Sequence, residues 1–66
     1  MQPLTPTERQ LMELIADGQT TAEAANATGH TRWQIRWRLR TIYIKLNARN
    51  IHHAAAIYAV LRAHQP

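Results

Sequence analysis

Sixty-six residues suffice for one domain and not for two, because so short a chain buries only about 60% of the surface it exposes when unfolded. There is no cysteine for a disulfide or thiolate metal site, no apolar run near the ~20 residues of a membrane span, and no signal-peptide order at the start, so a soluble, cytoplasmic protein is expected. The net charge of +4 is unevenly divided: residues 1–30 hold all four acids (Glu8, Glu13, Asp17, Glu23) and one base, Arg9, whereas residues 31–66 hold seven bases and no acid. Such a one-sided field suits a polyanion, with nucleic acid the leading partner and a solvated basic helix the plain alternative.

Thr5-Pro6-Thr7-Glu8 joins an N-cap threonine, a proline at the first helical position and a glutamate three residues after the cap, and predicts a helix from Pro6 to about Asp17. Leu11, Leu14 and Ile15 form its buried stripe, Met12 lies at the edge, and Gly18 supplies the left-handed residue that ends it. Thr20-Thr21-Ala22-Glu23 repeats the capping pattern before a short alanine-rich helix closed by Gly29. Its alanines imply close approach to neighbouring helices, without which two turns would not persist.

Thr31 caps a third helix from Arg32 to Leu46; Asn47 can end it in a left-handed conformation, and Asn50 can cap a fourth from Ile51 to about Arg62. At 100° per residue, Ile35, Leu39, Ile42 and Leu46 share one narrow stripe, with Tyr43 at its border. Opposite it stands Trp37, with Trp33, Arg36 and Arg40 to one side and Gln34 and Arg38 to the other. The core stripe is complete without either tryptophan, so both are expected to be exposed. The whole chain, 1–66, reads as one compact all-α domain of four helices.

An outward face of arginines and large aromatics fits DNA, where guanidinium groups reach phosphates or guanine acceptors and an apolar ring meets thymine methyls. It also fits a protein interface, since tryptophan and arginine are common anchors there. A short helix, a turn containing Gly29 and a longer helix with basic first turns form the helix-turn-helix pattern, whose second helix enters the major groove. On this reading the basic residues Arg36, Arg38, Arg40, Lys45 and Arg49 are candidates for bases or phosphates, with Arg38, Lys45 and Arg49 expected on phosphates.

The residues Leu4-Thr5-Pro6-Thr7-Glu8-Arg9-Gln10, continuing through Leu14-Ile15-Ala16-Asp17-Gly18, resemble the opening of the LuxR/GerE-type helix-turn-helix domain. Ile42 through Asn50 resembles its end of helix 3 and the following turn, and Ala54-Ala55 its paired alanines. The resemblance implies a transcription-regulating domain that binds double-stranded DNA in a bacterium, or from a phage in a bacterial host. Base contacts would fall on Arg36, Trp37 and Arg40, with Gln34 and Arg32 nearby and Thr31 at the cap, and helix 4 would pair two copies. The chain departs from the family at His30 and Ala24, where larger aliphatic residues are usual, and at Trp33 and Trp37, where small or basic residues are usual. A changed or relaxed sequence preference is therefore expected. Met1 lies three residues before the motif, so no receiver or ligand-sensing domain is expected ahead of it, leaving regulation to abundance, partners or pH.

Helix 4 carries apolar surface beyond its core face of Ala54, Ile57, Tyr58 and Leu61. Ala56, Ala59, Val60 and Ala63, with His52 at the upper end, form a second stripe whose small side chains would let two copies approach. A homodimer, formed in solution or only on DNA, is the expectation; the alternative is that the alanines simply favour helicity. His30, His52, His53 and His64 form no ligand pair at i, i+4, and no nucleophile–base pair or phosphate loop is visible, so neither metal, cofactor nor catalysis is expected. The main competing function is a protein-interaction module in which the helix 3 face binds a host regulator or a subunit of the transcription machinery. A basic membrane-surface helix is weaker, since helix 3 needs its apolar stripe for the core.

Overall fold

Residues 3–64 are described by a computed structural model. Four helices follow one another, α1 (Pro6–Ala16), α2 (Thr21–Thr28), α3 (Arg32–Leu46) and α4 (Ile51–Ala63), with no strand among the described residues. Thr5, Thr20 and Thr31 are extended N-caps. In each, the hydroxyl accepts the backbone N–H three residues on, and the side chain of Glu8, Glu23 or Gln34 accepts the threonine's own N–H, at 2.8–3.2 Å. Asn50 starts α4 by accepting the His53 N–H at 2.9 Å.

The ends of α1, α2 and α3 share one device. Gly18, Gly29 and Asn47 have φ of 95°, 72° and 55°. The residue after each donates its N–H to a carbonyl five positions back: Gln19 to Leu14, His30 to Ala25 and Ala48 to Tyr43, at 2.8–3.1 Å. The first helix stops at Ala16, with the expected terminal residue Asp17 as its cap, and α4 runs one residue past Arg62.

The core draws Leu11, Met12 and Ile15 from α1, Ala24 and Ala25 from α2, Ile35, Leu39, Ile42 and Leu46 from α3, and Ala54 and Tyr58 from α4. Met12 is fully buried and not at the edge, because α1 packs against α2, α3 and α4 together and so buries a broader stripe than one neighbour would. Ala24 is likewise fully buried. Its single methyl lets the short α2 lie close against the rest of the core, which holds a two-turn helix that would not persist alone.

Candidate nucleic-acid interface

The turn between α2 and α3 spans only Gly29–Thr31, so the two helices follow one another with little intervening chain. Gly29 turns the chain, the His30 N–H closes on the Ala25 carbonyl at 2.9 Å, and Thr31 immediately caps α3. Ile35, Leu39, Ile42 and Leu46 then pin α3 to the core, none more than 5% exposed. The opposite face is turned to solvent: Trp33 is 76% exposed and Trp37 64%, and Arg32, Gln34, Arg36, Arg38 and Arg40 are all exposed. Arg36 and Arg40 stand with the two tryptophans around a shallow groove that reaches Tyr43, Ile51 of α4 and Thr21 at the start of α2.

Three of the four acids are paired with bases outside this face, Lys45 and Arg62. Glu8 is 3% exposed and its Oε1 accepts from Lys45 Nζ at 2.7 Å and from the Thr5 N–H at 2.8 Å. Burial alone would raise its pKa, but the hydrogen bonds from Lys45 and Thr5, with the ammonium charge, outweigh burial and hold the carboxyl below its ordinary value. Glu13 accepts from Tyr58 Oη at 2.6 Å and from Arg62 at 2.8 Å, and Arg62 also lies 3.5 Å from Asp17. Those bonds from Tyr58 and Arg62 hold the Glu13 carboxyl low. The fourth acid, Glu23, is bound into the α2 cap. Among the described residues, no ion pair involves the arginines of α3.

The structure thus brings Thr31, Arg32, Trp33, Gln34, Arg36, Trp37, Arg38 and Arg40 together on the first three turns of α3. Arg49 lies apart, exposed in the turn between α3 and α4, its backbone N–H donated to His53 Nδ1 at 3.1 Å. Lys45, expected from the sequence to hold phosphate, has a side chain only 16% exposed and paired with Glu8. A buried carboxylate 37 residues away could not be anticipated from helix spacing. Ile44, which the sequence reading passed over, is 72% exposed. Its place on the helical wheel beside Trp33 and Trp37 is the signal that would have found it.

On α4 the second stripe is also solvent-facing. His52, Ala56, Ala59, Val60 and Ala63 are exposed, Val60 at 57%, while Ala54 and Tyr58 on the other side are buried. No helix among the described residues is long and apolar enough to cross a membrane.

Among known protein families, the model described as GerE, bacterial regulatory proteins of the luxR family, matches residues 2–58. No curated protein and no solved structure matches the chain.

Proposed function

The chain belongs to the luxR family of bacterial regulatory proteins, DNA-binding regulators of transcription and not enzymes, and from that premise we propose that α3 enters the major groove of a specific operator. The observation that carries the proposal is the exposed face of α3: four arginines without an ion pair among the described residues, interleaved with two solvent-facing tryptophans. Arg36 and Arg40, one turn apart beside the tryptophans, hold guanine; Arg38 and Arg49, on the flanks, hold phosphate. The exposed stripe of His52, Ala56, Ala59, Val60 and Ala63 pairs two copies, which places two copies of α3 on half-sites about one helical turn apart. So small an interface favours pairing on the DNA over pairing in free solution.

The exposure of Ile44 favours a second reading, because it prolongs the Trp33 and Trp37 stripe beyond the part of α3 that a groove admits. A protein partner, such as a component of the transcription machinery, would then cover this face. Selection of bound fragments from random duplexes, followed by binding measured against salt, separates the two. Enriched duplexes whose affinity falls steeply with salt support DNA recognition. Absence of enrichment at low salt would leave the protein interface as the better account.

A further inference from the structure

Hydrogen-bonding capacity divides the bases more finely than charge does. Between residues 32 and 40 the side chains directed away from the core are four arginines, two tryptophans and Gln34. Guanidinium and indole groups are donors only. Gln34 supplies an amide oxygen, one lone pair of which accepts the Thr31 N–H at 2.9 Å, leaving a single acceptor site beside the arginines and tryptophans. The Thr31 hydroxyl accepts in return from the Gln34 N–H at 3.1 Å. No aspartate or glutamate follows Glu23. In the preceding turn, Thr28 Oγ1 donates to the Ala24 carbonyl at 2.8 Å, so its 2.7 Å contact with His30 Nδ1 makes the imidazole N–H the donor. Nε2 of that ring lies on the turn and off the helix.

In the major groove adenine N6 and cytosine N4 present donors, guanine presents the acceptors N7 and O6, and thymine presents the acceptor O4 beside a C5-methyl group. The guanidinium and indole groups have no acceptor for the exocyclic amines, and an indole laid over an amine would strip its water without replacing it. The same ring laid against a methyl group loses nothing and removes apolar surface from water. Resting on the DNA reading above, we infer that Trp33 and Trp37 are specificity-determining residues for thymine methyl groups, in a half-site whose guanines are held by the arginines. Four residues of helix rise about 6 Å, close to two base-pair steps of about 3.4 Å each. The two rings therefore meet methyl groups on pairs about two steps apart.

The test uses the duplex enriched by selection, with thymidines replaced one at a time by deoxyuridine, which removes the methyl group and leaves the pairing edge intact. Affinity is expected to fall about fourfold, the worth of one buried methyl, at two positions about two base pairs apart. Trp33→Ala and Trp37→Ala should each erase the penalty at one of them while the helix content by circular dichroism is unchanged, since both side chains are exposed. Equal binding of thymine and uracil duplexes overturns the inference, as does a uracil penalty that persists in both variants. Both results leave DNA recognition standing. Failure to bind any duplex removes that recognition itself, and this inference with it.

Discussion

Lys45 Nζ donates to Glu8 Oε1 at 2.7 Å, tying the last turn of α3 to the first turn of α1 across 37 residues of sequence. The side chains are 16% and 4% exposed, so the pair is shielded from solvent at an interhelical contact. It fixes the C-terminal end of α3, away from the exposed first turns that carry Trp33, Trp37 and the four arginines.

Lys45→Ala should therefore destabilise the domain by about 1–3 kcal/mol, because it strands a buried carboxylate that keeps only the Thr5 N–H. Urea unfolding measures this. Duplex binding by the folded variant should keep the parent's salt slope; a slope reduced by about one would instead make Lys45 a phosphate contact. The pH dependence follows from the lowered pKa of Glu8. Stability from this pair is full above the ordinary glutamate value of 4.5 and is lost as pH falls through the lower folded value. Glu8→Gln should flatten that acid limb.

Tyr58 predicts the behaviour at the other end of the pH scale. Burial, and then the hydrogen bond to Glu13, push its phenol from 10.0 up to about 12. The folded state thus keeps a proton that the unfolded chain releases, so the associated stability is complete below pH 10 and lost as pH rises toward about 12. Tyr58→Phe should remove most of the decline in unfolding midpoint over this range. A decline of the same size in the variant would shift the cause to Tyr43, whose phenol is also raised by burial.

Arg36→Ala and Arg40→Ala should each cost about 1–3 kcal/mol on the preferred duplex and much less on random DNA, as expected for a guanidinium on the paired acceptors of guanine. Arg38→Ala and Arg49→Ala should weaken all duplexes alike and lower the salt slope by about one each. Equal losses from Arg36→Ala on every sequence would reassign it to the DNA backbone.

Val60 tests the pairing of copies, since it is the largest aliphatic side chain on the second stripe and is 57% exposed. Val60→Glu should abolish cooperative occupancy of two half-sites while helix content and single-site binding stay nearly unchanged. Cooperativity equal to the parent's would place the contact between copies elsewhere than α4.

The sequence by itself determined the helices and the outward direction of α3. Threonine caps with their partners three residues on, Gly18, Gly29 and Asn47 at the closures, and the 35–39–42–46 stripe act within a turn or two of the chain, so their spacing carries the information. The exposure of Trp33 and Trp37 followed from the same stripe, which leaves them no room in the core. Only the tertiary structure decided which charges remain available. Glu8 meets Lys45, and Glu13 meets Tyr58 and Arg62, across 37, 45 and 49 residues, distances over which periodicity says nothing. Met12 went to full burial for a related reason: how much of a helix is covered depends on how many neighbours surround it, and α1 is packed by the other three helices at once.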